Sequence, residues 1–328
     1  MTTKIVSLPD NVESAAEVVQ TLKEEISHAV VGQSKVVEQT LIALLAGGHV
    51  LIEGAPGLGK TLLVQAIAKT FNGQFSRIQF TPDLMPSDVS GHSLYDMQTG
   101  EFRIRKGPVF SNILLADEIN RAPAKTQAAL LEVMQEHQVT IDSKAYKLDE
   151  PFMTLATENP LEQEGTYPLP EAQLDRFLLK VLIDYPDELD EKLIVKKITT
   201  HQLSDILNVD NVNTIIDTEG VRALQKITAS IQVDDRVIDY AVRIARKTRG
   251  WIGITVGAGP RGAIALIRAA KAVALINARD FVTPDDVKDI AIPALRHRII
   301  LTPEMEIEGQ TADIIVEALI ASIETPRS

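Results

Sequence analysis

The run HVLIEGAPGLGKTLLVQAIAKTF, residues 49–71, limits the fold more than any other stretch. It begins with a short unbroken apolar run, which reads as a buried strand, and ends with apolar residues at helical spacing. Between them, Gly54, Gly57 and Gly59 put three glycines into six positions. Glycine reaches backbone conformations closed to other residues, so the chain can curl tightly there. A buried strand entering a helix through such a loop belongs to a sheet covered by helices.

Gly54, Gly59, Lys60 and Thr61 fit the pattern G-x-x-x-x-G-K-[ST]. Successive backbone N–H groups in such a loop face one anion, and the helix N-terminus adds a positive dipole end behind it. The Lys60 ammonium suits β- and γ-phosphates, and the Thr61 hydroxyl suits Mg²⁺. Ala55, Pro56, Gly57 and Leu58 complete the loop, and Leu62 opens the helix. A turn of this composition that binds nothing is the competing reading, and the flanking strand and helix weigh against it. The expected ligand is ATP with Mg²⁺.

Further short apolar runs follow: FSRIQF, NILLAD, FMTLAT and FLLKVLI. Helical or mixed segments separate most of them, which predicts a parallel sheet buried on both faces. Residues 81–109 break the pattern with Pro, Gly and Asp. Hairpins are expected around Gln98–Thr99–Gly100 and near Ser143. From about residue 187 the pattern is helical: 187–202, 219–230, 234–249, 260–278, 284–297 and a tail helix over 304–324. Thr283 before Pro284 and two acids reads as a capped helix start. The expected fold is therefore α/β, a P-loop NTPase parallel-sheet domain over 1–186 with a C-terminal helical-bundle lid over 187–328.

Lys plus Arg number 33 and Asp plus Glu 45, giving a net charge of -12. Such a chain is a poor general binder of nucleic acid or anionic membrane. It contains no cysteine, which excludes disulfides, thiol catalysis and Cys-ligated zinc and fits a cytoplasmic location. The N-terminal residues carry no apolar core of signal-peptide length. GAIALIRAAKAVALINA, the most apolar long stretch, includes Arg268 and Lys271 and reads as a buried helix rather than a membrane span.

Asp117 and Glu118 end the strand NILLAD. Two carboxylates closing a buried strand are costly without partners, and phosphate-bound Mg²⁺ is such a partner. Asp117 is the candidate to hold the metal, and Glu118 to polarise the attacking water. Asn159 ends another strand and is the candidate to orient the water or touch the γ-phosphate; the competing reading is an Asn that simply turns the chain before Pro160. Arg176 follows a short helix start at Pro170 and is either a group offered to a neighbouring subunit or a surface ion pair. Arg261 opens a helix of the second half, where acids are usually preferred. It either reaches back to the phosphates or is solvated.

In this order, VVGQ, GAPGLGKT, LLADEINRAPAKTQAALLEVMQE, ATENPLEQEGTYPLPEAQLDRF and GPRGAIALIRAAKA resemble the MoxR family of AAA+ ATPases over residues 28 to 300. The segment ENPLEQEGTYPLPEAQLDRF is the most specific. The resemblance implies that Val31 and Gly32 line the adenine pocket, Asn159 is a sensor, Arg176 is an arginine finger acting on the next subunit, and Arg261 is the second-domain sensor. It implies that the two hairpins face a central pore or partner. It also implies a hexameric homo-oligomeric ring that remodels a client protein with a separate von Willebrand factor A domain protein. Ala124 stands where a second proline is common, Glu158 where Gln is common, and Gly259 and Gly262 where Ser and Ala are usual. A magnesium-chelatase-type motor subunit, a DNA-directed motor and a non-hydrolysing nucleotide-binding module remain as rival readings at this level.

Overall fold

The computed structural model describes residues 8–159, 165–199 and 209–326. Pro160, the first seven residues and the expected helix end at 200–202 lie outside the described residues. In chain order the strands of the first half are β1 (Val50–Gly54), β2 (Phe75–Gln79), β3 (Gly91–Asp96), β4 (Glu101–Lys106), β5 (Ile113–Asp117), β6 (Gln138–Ile141), β7 (Lys144–Lys147), β8 (Met153–Glu158) and β9 (Leu179–Ile183). Five of them, in the order β2-β5-β8-β1-β9, form one sheet whose pairings are all parallel. These are the five apolar runs of the sequence. Because all five run the same way, β1, β5 and β8 deliver their C-terminal residues to one edge. Open α/β sheets bind ligands along that edge.

The helices are α1 (Val12–Ser27), α2 (Ser34–Leu45), α3 (Lys60–Thr70), α4 (Pro86–Ser90), α5 (Ala124–Glu136), α6 (Glu171–Leu174), α7 (Glu188–Thr199), α8 (Thr218–Ser230), α9 (Asp235–Thr248), α10 (Pro260–Ile276), α11 (Pro284–Leu295), α12 (Pro303–Ile307) and α13 (Ala312–Ala321). The Thr283 cap is present as a capping box with Asp286. The GAIALIRAAKAVALINA stretch lies in α10, with Ala265, Leu266, Ala269 and Ala270 buried in the bundle. No helix among the described residues is long and apolar enough to cross a membrane.

Both hairpins form, β3 with β4 and β6 with β7. The second turns at Asp142 and Ser143, both at positive φ, the geometry of a two-residue hairpin turn. Three features depart from the sequence expectation. The 81–109 segment contains α4. The tail over 304–324 is two helices rather than one, because Gly309 sits at φ 76 and Thr311 caps a fresh start. A short antiparallel pair, β10 (Ile254–Val256) with β11 (Ile300–Leu301), joins the bundle, too brief to show period-2 patterning.

Alternation along the strands divides the interior. Val50 and Ile52 face one core with Ile113, Leu115 and Leu155, while Leu51 faces another with Leu114, Ala116 and Ala156. A fully buried aliphatic side chain is worth about 1.5–3 kcal/mol, so a register slip of one residue would be prohibitive. The first core runs without interruption through α1 and α2 into the C-terminal helices, as far as Leu319. Composition changes near residue 187, but the packing is continuous across it.

Candidate functional site

The loop after β1 is shaped by close approach. A Cβ on Gly54 would stand 2.6 Å from the carbonyl oxygen of Ile183 on β9. Gly57 and Gly59 hold φ near 80°, and Gly59 caps α3 with no side-chain hydrogen bond. The first N–H groups of α3 are thus left for an anion. Pro56, Gly57, Gly59, Lys60, Thr61 and Leu62 line a cleft of about 620 Å³ together with Asp117, Glu118 and Asn159. Gly54, Ala55 and Leu58 are not among its lining. Lys60 Nζ donates to the Gly54 carbonyl oxygen at 2.7 Å. Its pKa is pushed down, chiefly by burial, with Asp117, Glu118 and Glu53 opposing.

Strand order brings the two acids and Asn159 beside the loop, as the sequence predicts. Their local anchoring was not legible. Thr157, fully buried on β8, donates through Oγ1 to Asp117 Oδ1 at 2.6 Å and accepts the Glu118 N–H at 2.8 Å. Arg77 on β2 donates through Nε and a terminal nitrogen to Asp117 Oδ2, at 3.2 and 2.6 Å. Gln79 donates to Glu118 Oε2 at 2.7 Å, and Arg121 Nε lies 3.1 Å from the same oxygen. Glu118 itself adopts a left-handed backbone, φ 55 and ψ 51, a cost that persists where surrounding structure fixes the residue. Arg77 and Gln79 sit two apart on an edge strand, so the period-2 pattern of FSRIQF could have marked them as one face.

Glu158 explains itself only in three dimensions. It pairs in register with Glu53 of β1, and Lys180 of β9 lies 2.6 Å from Glu53. Burial pushes the Glu158 pKa up, Lys180 pulls it down and Glu53 adds to the rise.

Further expected site residues do not join this cleft directly. Val31 and Gly32 are not among its lining. Gly32 packs against Pro186 and Asp190 on the way into α7, whose Ile194 does line it. Arg261 is the clear correction: it does not reach back to its own chain's phosphate loop. It lines a second cleft, of about 340 Å³, with Arg176, Asp175, Arg268 and Arg298, and the two clefts share no lining residue. The reason is packing. Helices α10 and α8 lie on α2, and α11 lies on β9, so the bundle sits behind the sheet rather than over the loop. Of the described helices after residue 187, α7 is the one that borders the phosphate cleft, through Ile194.

Arg176 is half-buried and donates to the Leu131 carbonyl of α5. Arg261 is exposed in the first turn of α10.

Residues 49–179 match the family description "ATPase family associated with various cellular activities (AAA)", and residues 246–319 match "AAA lid domain". A Mycobacterium tuberculosis relative, Chaperone MoxR1, is 41% identical over 97% of this chain and 86% of its own length. The chain belongs to the MoxR family of AAA+ ATPases. Protein MoxR of Methylorubrum extorquens is 31% identical over 92% of the chain and 93% of its own. The Bacillus subtilis protein YeaC, uncharacterised, is 46% identical over 92% and 93%. A crystal structure of a Cytophaga hutchinsonii protein superposes with TM-score 0.88 at 42% identity, covering 96% of this chain and 97% of that one. As a MoxR-family member the chain binds nucleotide and is an ATPase, and its sheet and bundle are the AAA+ core and lid.

The donor set also fits Mg²⁺. Thr61 offers a hydroxyl and Asp117 a carboxylate to one cleft, hard oxygens of the type this ion takes. Among the described residues no group of three or more His, Cys, Asp or Glu could hold a metal. Mg²⁺ at a phosphate site needs only one or two protein ligands, the rest being phosphate and water.

Proposed function

We propose that this MoxR-type protein hydrolyses ATP to ADP and phosphate with Mg²⁺, at a site shared between two copies of the chain. The observation that carries this is the separation of the two clefts: Lys60, Thr61, Asp117, Glu118 and Asn159 line one, Arg176 and Arg261 the other. No single chain completes its own site. A head-to-tail contact between copies brings the guanidiniums of one to the phosphates of the next, and repetition of that contact closes a ring. A hexamer is the assembly proposed.

Gly57, Gly59 and the open N–H groups of α3 hold the phosphates, and Lys60 releases the Gly54 carbonyl to meet them. Thr61 and Asp117 hold Mg²⁺, which neutralises phosphate charge when bound. Glu118 accepts a proton from the attacking water while Asn159 orients it. The neighbour's Arg176 and Arg261 stabilise charge on the transferring phosphoryl group. Such a finger is worth 10³–10⁵ in rate, or about 4–7 kcal/mol. Val31 and Gly32 bound the adenine side. Residues 1–186 and 187–328 serve as motor and lid.

The relative's name supports a chaperone role, and the family resemblance supports a separate von Willebrand factor A domain partner and a client protein. The acidic net charge favours a protein client over nucleic acid, in the cytoplasm.

The test is complementation. Arg176→Ala and Lys60→Ala are each expected to be inactive alone, and their mixture to regain turnover, because some interfaces then join one intact half from each chain. No recovery in rings shown to be mixed would overturn the shared site.

A further inference from the structure

We propose that Arg298 is the positioning residue that sets Arg176 and Arg261 in register for the neighbouring site. The inference rests on the shared-site reading above and adds a component to it.

Arg298 lies in the short segment between α11 and β11, yet it is buried against the other half of the chain. Its Nε donates to Asp175 Oδ1 at 2.7 Å. One terminal nitrogen donates to the Phe177 carbonyl at 2.6 Å and the Asp175 carbonyl at 3.3 Å. The other donates to the Leu178 carbonyl at 3.1 Å and to the Ala294 carbonyl. All five N–H groups of the guanidinium are thereby used. Four of the five hydrogen bonds hold the turn at 175–178, which contains Arg176. His297 adds a fifth hold, donating through Nε2 to the Phe177 carbonyl at 3.0 Å.

The same side chain also lies beside the second arginine's helix and lines one cleft with Arg261. A Cβ on Gly262, the residue after Arg261, would lie 3.6 Å from Arg298 Cδ. One residue therefore holds the finger turn and stands beside the start of α10.

Among the described residues Arg176 has little else to fix it: its Nε is buried without a hydrogen-bond partner, and its guanidinium donates to the Leu131 carbonyl. The direction of its guanidinium is thus inherited from the backbone at 175–178. A lysine at 298 would keep the charge but not the planar fork that grips the carbonyls of Asp175, Phe177 and Leu178.

The full-length chain carrying Arg298→Lys tests this. The expected result is a folded chain with a lowered melting temperature and normal binding of a fluorescent ATP analogue, with turnover of the homogeneous ring down about 100-fold. Mixing with Lys60→Ala should restore turnover, because that chain supplies a well-placed finger to the intact phosphate loop. Mixing with Arg176→Ala should restore nothing, because both lack the same half. Asp175→Asn, which removes the carboxylate without touching the bundle, should behave alike and serves if Arg298→Lys does not fold.

Three results would overturn the inference: unchanged turnover, recovery with Arg176→Ala instead of Lys60→Ala, or no recovery with either while the Arg176→Ala and Lys60→Ala mixture recovers. Failure of that last mixture instead sinks the shared-site reading and this inference with it.

Discussion

Gln79 Nε2 donates to Glu118 Oε2 across 2.7 Å, joining the edge strand β2 to the proposed catalytic base on the neighbouring strand's end. The amide fixes one carboxylate oxygen while Thr157 fixes the same residue's backbone N–H. A base held at both ends has one orientation to offer a water. Gln79→Leu should lower kcat about 10–100-fold with ATP affinity unchanged, since misplacing the carboxylate by an ångström costs that order of rate. Steady-state kinetics beside equilibrium ATP binding separates the two quantities.

Glu118→Gln keeps the shape and the left-handed turn but removes the base. We expect ATP binding to persist and turnover to fall by about 10²–10⁴-fold, the usual share of a general base. Isothermal titration with ATP alongside a phosphate-release assay checks both halves, and normal turnover would reassign the base.

Thr157→Val removes the hydroxyl that serves Asp117 and Glu118 together while keeping volume. It leaves the Glu118 N–H without its acceptor, at a cost of about 1–3 kcal/mol. A lowered melting temperature and a raised Mg²⁺ requirement for turnover are expected, measured by thermal unfolding and by titrating Mg²⁺ at fixed ATP.

Glu158 and His49 should set opposite slopes in the pH dependence of stability. The Glu158 pKa is raised above its ordinary value by burial, so the folded state holds that proton more firmly than the unfolded state. Its contribution is full in acid and is lost as pH rises through the raised value. Glu158→Gln should therefore stabilise the protein near neutrality and change little in acid, with Lys180 still paired to Glu53. Melting curves at about pH 5 and about pH 8 give the comparison.

His49 is wholly buried, donating through Nε2 to the Met134 carbonyl and accepting the Thr154 N–H at Nδ1. Burial lowers its pKa to about 4. Stability is thus present above the unfolded value near 6.5 and is lost as pH falls from there toward 4. The full loss is about 3 kcal/mol. His49→Gln should flatten that limb of the acid unfolding curve, although it will lower stability near neutrality.

The sheet strands and the phosphate loop were readable because their chemistry is local. An apolar run of five residues, three glycines and a Lys–Thr pair carry their meaning within a dozen positions. Asp117, Glu118 and Asn159 were readable because each ends an apolar run. Arg77, Gln79 and Thr157 were not, because their roles depend on which strands become neighbours in the order β2-β5-β8-β1-β9. Arg261 shows the limit most clearly. Its helix start was legible, but the side of the molecule it faces is decided by how α10 and α11 pack on α2 and β9.

The two segments that match family descriptions, 49–179 and 246–319, both leave out α1 and α2. Yet Leu22 and Ile26 of α1 and Leu41 and Leu45 of α2 are buried in the stretch of core that joins sheet to bundle. Those helices are the mortar between two bricks. The motor is consequently not a portable cassette: grafting residues 49–179 into another protein, or exchanging bundles between relatives, would strand a greasy seam in water unless the first 48 residues travelled with the graft.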